Sequence, residues 1–480
     1  LTSQRVLQTI RLLAAALAAY FLLAYLLVAF SRIAYPFELN IIEGGMLLQV
    51  KQLLGGQALY VEPSFNFIPF IYTPLFTWVS SWSAALLGSG FENIRLVSIV
   101  CALLTAIAVG LIVFSLLNNR LSAGIAAGLY FGLAALVEFS LDQGRVDSML
   151  ACFLAWGVLI ATRPEGTASM ILSGILFSAA FLTKQIALIP IAFTFVALNP
   201  KMNKRAWLFA ITTVSICAVS TLVLNIHSNG WFWFYCFELP AQHDIQVLHY
   251  WRFLLVDLLY KLPVACLLLA SLTFGSMFKL AATNRHFLLW IVSGLILAAW
   301  LSRLHAGGSE NVLLPAYIGL IICSVVAADS FKSPRLRCVA WVGLLIQTLP
   351  LLYSPSSQIP TQSDVTAGYA LVSQIRNSSG PVMILSHPYL LSFAEKPLHA
   401  HVWAIHDVLR SNTSQADKLN QEIKSKISAQ SFSDIIVNDA RYKQEIERYY
   451  TKITQQPLYQ ESKAFFGLGP SVPQDIYAIK

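Results

Sequence analysis

Three short stretches carry the residue types from which group-transfer chemistry is built. The first follows an apolar run and reads Tyr35-Pro36-Phe37-Glu38-Leu39-Asn40-Ile41-Ile42-Glu43-Gly44-Gly45. A carboxylate just beyond a membrane helix, in a loop folded back over the bilayer, is well positioned as a general base. The simpler reading of Glu43 taken alone is a solvated loop acid. The two glycines after it allow a ligand to approach closely, or they mark a turn. The second stretch is Leu141-Asp142-Gln143-Gly144-Arg145-Val146-Asp147-Ser148, where Arg145 and Asp147 either meet a substrate or pair with each other. The third runs Ser302-Arg303-Leu304-His305-Ala306-Gly307-Gly308-Ser309-Glu310-Asn311. Arg303 and His305 beside flexible glycines make a phosphate pocket, with backbone N–H groups as further donors. A cation anchoring a helix end is the simpler alternative.

The elements that must position these residues follow from composition. Of 480 residues 56% are hydrophobic and 12% charged, with a mean hydropathy of +0.64. A soluble domain carries about 25% charged residues, which excludes a water-soluble enzyme of this length. The counts of 25 Gly, 20 Pro and 7 Cys exclude collagen-like, disordered and disulfide-scaffold classes. The seven cysteines sit almost entirely within apolar runs, without paired spacing, and read as small embedded hydrophobes. Arg5 and Arg11 precede an apolar run to Phe30 that is too long for a signal-peptide core, so it is expected to be a retained first helix. The net charge of +8 reads as an orientation signal for membrane helices and not as a nucleic-acid footprint; nucleic acid is not an expected partner.

Sidedness follows from the short basic loops: Lys201 to Arg205, Lys279 to Arg285 and Lys332 to Arg337, with Asn118 to Arg120 and Arg163-Pro164 as weaker cases. With these and the N-terminus cytoplasmic, the loops 139–147, 226–252 and 302–311 share the opposite face. Residues 68–88 break the alternation if they span. Two prolines, several Ser/Thr and Trp78 with Trp82 suit an interfacial or re-entrant helix instead. They are therefore assigned to one long outer loop, about 31–95, which leaves about eleven spans.

Composition changes abruptly after residue 353. The stretch 354–480 is nearly charge-balanced. Residues 381–386 and 434–438 read as buried strands, and Ser411 to Lys418 as a helix start with an Asn/Ser cap. The expected architecture is an α-helical polytopic membrane protein, residues 1–353, followed by a small extracytoplasmic α/β domain, residues 354–480.

In this order the stretches resemble those of the polytopic lipid-linked-sugar glycosyltransferases of the C-type fold, particularly the family-39-like and RgtA/B/C/D-like members. The resemblance rests on the outer-loop acid before Leu53-Leu54-Gly55-Gly56-Gln57-Ala58-Leu59-Tyr60 and Tyr72-Thr73-Pro74-Leu75. Arg95-Leu96, Gly144-Arg145-Val146-Asp147 and the Arg303 to Pro315 stretch complete it. It covers most of residues 1–330. Many relatives carry Asp or an Asp-Glu pair where this chain has Ile42-Glu43, so the base and any divalent metal ion stay open.

The resemblance implies transfer of a sugar from a polyprenyl-phosphate donor to an extracytoplasmic acceptor: a glycan, a lipid or a protein. An inverting single displacement needs a base on the acceptor and cations at the departing phosphate. Glu43 would take the base role. Arg303, His305 and Arg145 would bind the phosphate. Asp147 would orient the acceptor or Arg145, or hold a metal. His243, Lys184 and Asn311 are further candidates for the cleft.

A secondary transporter competes, as does a non-catalytic membrane scaffold. Neither accounts as well for charges gathered at one face, and no inverted repeat relates the halves. Asn377 and Asn412 match Asn-x-Ser/Thr sites. A bacterial inner membrane is the expected location.

Overall fold

The computed structural model describes residues 2–162, 166–199, 203–437, 441–454 and 475–480. The loop residues Arg163, Pro164, Lys201 and Met202, and Asn438 at the end of the second expected strand, lie outside them. The chain is an integral, multi-pass helical protein. Among the described residues five helices are long and apolar enough to cross a bilayer, or up to seven if each of two bent pairs is one span. Shorter apolar helices at 120–136, 146–161, 167–183 and 185–198 pack among them. The length of these elements has a simple cause: about 20 apolar residues at 1.5 Å each match a hydrocarbon core of about 30 Å.

Contacts sort the loops to two ends. At one end Arg11 lies 3.3 Å from Asp329, Asn119 and Ser122 bond the same carboxylate, and Lys279 and Lys332 pair their backbones with Ser330 and Met277. These are the basic loops. At the other end the three acidic and glycine-bearing loops meet: Asn311 reaches Asp147, Ile245 bridges His305, and Gly144 N–H donates to Glu43.

The segment 68–88 contributes one helix, Leu75–Leu87, of 13 residues. At 1.5 Å per residue it is about 20 Å long, short of the bilayer core. Its outer side exposes Trp82, Leu86 and Leu87, the character of a helix lying in the interface. A second helix of the segment 31–95, Ile41–Leu54, starts with Asn40 accepting from Ile42 N–H.

Beyond residue 353 a four-stranded sheet has the order β1 (Val382–Met383), β2 (Asp434–Val437), β4 (Asp475–Ile479), β3 (Tyr450–Lys452). β1 pairs parallel with β2, and the other pairings are antiparallel. The expected strand at 381–386 is thus shorter than the apolar run. The helix Ser414–Ser428 is capped by Thr413, which accepts from Ala416 N–H, and not by Asn412 or Ser411. Leu419, Ile423 and Ile427 are buried along one face of it, the stripe that a half-buried helix requires.

The unit beyond residue 353 does not close its own core. Phe37, Leu47 and Phe70 of the segment 31–95 join Leu371, Ile384, Tyr389 and Ile435 in one buried cluster. The two glycines after Glu43 make room for that contact. A Cβ on Gly44 would stand 2.6 Å from the Tyr389 ring, and one on Gly45 2.3 Å from Phe70.

Candidate active site

Where the loops converge, a cavity of about 510 Å³ opens. One part of its wall is apolar: Ile41, Ile42, Phe70, Ile189, Phe237 and Leu301. Another part is polar and cationic, with Arg145, Lys184, His305, Asn311 and Arg410 among the lining residues.

Asp147 organises two of these cations. Lys184 Nζ lies 3.0 Å from its Oδ1, and Arg145 Nε 3.6 Å from its Oδ2. Asn311 donates to the same Oδ2 at 2.8 Å. Local chain geometry supplies each partner. Arg145 is the residue before the helix Val146–Ala161, Asp147 lies in its first turn, and Lys184 follows the end of Thr167–Thr183. An acid in a first helical turn is favoured by the helix dipole. Two buried cations sharing one carboxylate leave a net positive charge beside the cavity.

The turn 305–310 completes that wall. Gly307 has φ +111°, a left-handed value that disfavours any side chain. A Cβ on Gly308 would stand 2.3 Å from the Ser302 carbonyl. Arg303 folds this turn from behind. Its guanidinium meets Asp257 at 3.0 Å, Glu310 at 3.0 Å and the Gly308 carbonyl at 2.5 Å. It is buried and absent from the cavity lining.

His305 does line the cavity, yet it is no cation. Burial, then the neighbouring His243, Lys184 and Arg410, push its imidazole down to about 4. His243 Nε2 bonds the Asp407 carbonyl at 2.8 Å, and His243 Nδ1 lies 2.9 Å from His305 Nε2. With His243 Nε2 donating, its Nδ1 accepts and His305 Nε2 donates. Burial lowers His243 as well. The pair ties two loops to the unit beyond residue 353 as neutral rings.

Glu43 stands apart from the cavity lining and has no exposed surface. Arg95 Nη2 meets its Oε2 at 2.8 Å and Nε its Oε1 at 3.1 Å. Leu39 and Gly144 donate their N–H groups at 2.7 Å each. Burial opposes the charge, but Arg95 and those N–H groups hold the carboxyl below its usual range. Both oxygens are spent. The remaining guanidinium donors of Arg95 go to the carbonyls of Arg32, Tyr35 and Phe37, so Glu43 and Arg95 shape the loop after the first helix.

Among the described residues a divalent metal ion has no ligand set at these positions. Among the described residues no group of three or more His, Cys, Asp or Glu is arranged to hold one. The carboxylate oxygens of Asp147 and Glu43 already face cations and N–H donors.

The wall also takes in Glu138, Trp403, Asp407 and Arg410, which lie outside the sequence stretches that mark the site, and Tyr72 of the Tyr72-Thr73-Pro74-Leu75 stretch. Lys184 Nζ lies 5.4 Å from the Tyr72 ring centre. Glu138 has φ +57° and a carboxyl that burial and its bond to Glu310 raise to about 7. Trp403, Asp407 and Arg410 share the i, i+4, i+7 spacing of one helix face, a signal present in the sequence but hidden in a region read only as a small α/β unit.

The comparisons with known proteins agree with this architecture. Residues 71–224 match the dolichyl-phosphate-mannose-protein mannosyltransferase family. No curated protein matches the sequence. Two structures of ArnT from Cupriavidus metallidurans, one bound to undecaprenyl phosphate and one apo, superpose with a TM-score of 0.61 each, at 13% and 14% identity, covering 96% of this chain and 97% of theirs. The chain has the C-type glycosyltransferase fold. AglB, the oligosaccharyltransferase of Archaeoglobus fulgidus, solved with an inhibitory peptide and a dolichol-phosphate, gives a TM-score of 0.55 at 11% identity, over 90% of this chain and 72% of that one.

Proposed function

We propose that this chain is a membrane glycosyltransferase that moves a sugar from a polyprenyl-phosphate-linked donor to a hydroxyl acceptor by an inverting displacement, and that the 510 Å³ cavity is its active site. One observation carries the reading. Arg145 and Lys184, held together by Asp147, share a cavity with a broad apolar wall, so a single pocket suits both a phosphodiester and the start of an isoprenoid chain. The ArnT and AglB structures, bound to undecaprenyl phosphate and a dolichol-phosphate, support the same class of donor. The site cations flank helix ends instead of interrupting mid-helix segments, which favours a transferase over a transporter.

Each protein group has a task. Arg145 and Lys184 bind the phosphate and meet the charge it gains as the glycosidic bond breaks. Asp147 and Asn311 orient them. Arg303 acts on the site through the glycine turn, as a positioning residue. The same reading takes residues 1–353 as the catalytic membrane part and 354–480 as an extracytoplasmic part whose core is shared with the outer loop. A bacterial inner membrane with a cytoplasmic N-terminus suits the basic loops gathered at the opposite end.

The test is binding of undecaprenyl phosphate to purified protein. Arg145→Ala or Lys184→Ala should weaken it by about one to two powers of ten, the worth of a charge-assisted contact of about 1.5–3 kcal/mol. Lys332→Ala, at the far end, should leave it unchanged. Equal affinity in all three variants would refute the phosphate site.

A further inference from the structure

We infer that Asp407, carried by the helix Val402–Leu409 beyond the membrane part, is the general base that takes the proton from the acceptor hydroxyl, with Trp403 on the same helix face holding the incoming sugar or acceptor. The inference rests on the functional reading above and adds the missing partner in the reaction.

The geometry first removes the other acids. Glu43 is enclosed and bonded at both oxygens. Asp147 is held between two cations and Asn311. Glu138 lines the cavity, but its carboxyl is committed to Glu310. Asp407 lines the cavity too, and its carboxylate has no hydrogen bond or ion pair among the described residues. Its backbone carbonyl, by contrast, is pinned at 2.8 Å by His243, so the helix carrying it is fixed against the glycine turn. Arg410, the residue after that helix, reaches the Ala306 carbonyl at 3.4 Å, a second tie.

A second unsatisfied group lies beside it. Trp403 Nε1 is buried and has no acceptor among the described residues, while Trp403 lines the same cavity. A buried N–H without a partner costs free energy, which a substrate hydroxyl or ring oxygen would recover, and an indole face suits the apolar face of a sugar. The cations and the base share one locale, since the Tyr72 hydroxyl feels Lys184, Asp147, Arg145 and Asp407 together. Burial also raises the Asp407 carboxyl to about 7, with Arg410 partly opposing, close to the operating value that proton transfer favours.

The step balances as follows. The acceptor oxygen forms a bond to the anomeric carbon as its proton passes to an Asp407 oxygen. The bond from that carbon to the donor phosphate oxygen breaks, and its electron pair stays on the phosphate, which departs as polyprenyl phosphate against Arg145 and Lys184.

The experiment uses the full chain with a panel of tritiated polyprenyl-phosphate hexoses and pentoses and membrane extract as acceptor. Asp407→Asn should lower turnover by about 10²–10⁴-fold while undecaprenyl phosphate binding is kept, and Asp407→Glu should retain part of it. The wild-type rate should rise through about pH 7, and the residual rate of Asp407→Asn should lose that rise. Asp244→Asn, an exposed acid nearby, should turn over normally. Undiminished turnover in Asp407→Asn, or a loss confined to Glu138→Gln, overturns the inference but leaves the donor site standing. Should Asp407→Asn not fold, a wild-type rate flat across pH 7 overturns it instead. Wild-type protein that binds undecaprenyl phosphate but uses no donor of the panel overturns the transferase reading itself, and the inference with it.

Discussion

Glu43 and Arg95, 52 positions apart in sequence, form a two-point ion pair with no exposed surface on either side chain. An acid that by position reads as a catalytic base is, in three dimensions, the counter-charge of an arginine that gathers the carbonyls of residues 32–37. Removing one partner of such a pair costs about 3–5 kcal/mol, because the other charge is left buried. Glu43→Gln should therefore lower the unfolding temperature in detergent markedly, and adding Arg95→Met should recover part of the loss. A Glu43→Gln protein as stable as wild type but without turnover would return the base role to Glu43.

Arg303 should behave as a positioning residue. Arg303→Ala leaves Asp257 buried without its 3.0 Å partner and releases the Gly308 carbonyl. A stability loss of about 3–5 kcal/mol is expected, with weaker donor binding as a consequence of a displaced turn. Asp257→Asn added to it should restore stability more than binding. Full stability with weakened binding in Arg303→Ala would instead mark a direct phosphate contact.

Glu38 sets a pH dependence of stability. Burial raises its carboxyl from 4.5 to about 7, and the adjoining His387, 2.5 Å away, offsets only part of that. The folded state therefore holds this proton more tightly than the unfolded chain. Its contribution to stability is present below about pH 4.5 and is lost as pH rises through about 7. Glu38→Gln, measured by thermal unfolding between pH 5 and 8, should show a smaller fall than wild type. Parallel curves would contradict this.

The orientation can be read chemically. Cysteines introduced at Ser89 and Thr366 should react with an impermeant maleimide from one side of the membrane, and one at Lys332 from the other. All three positions are exposed. Labelling of Ser89 from the side opposite to that of a cysteine at the exposed Gln57, which precedes the helix, would mean that Leu75–Leu87 crosses the bilayer.

One-dimensional regularities govern the polytopic part of this protein. Apolar runs of bilayer length specify a polytopic helical protein, since unpaired backbone polar groups are costly in lipid. The basic loops at 118–120, 279–285 and 332–337 sort to one end by charge alone, and the stretches around Glu43, Arg145 and Arg303 to the other. The shortness of Leu75–Leu87 is legible in Pro69 and Pro74 ahead of it and in Trp78 and Trp82 within it. Tertiary structure decided what each charge does there. Whether a carboxylate is a base or an anchor depends on which cations surround it, and those partners come from distant segments: Arg95 for Glu43, Lys184 and Asn311 for Asp147, Asp257 for Arg303. The sequence marks Trp403, Asp407 and Arg410 only by their spacing, because it is the core that Phe37, Leu47 and Phe70 share with Leu371, Ile384 and Ile435 that brings their helix over the cavity. Burial and pairing are properties of neighbours in space, and no spacing along the chain encodes them.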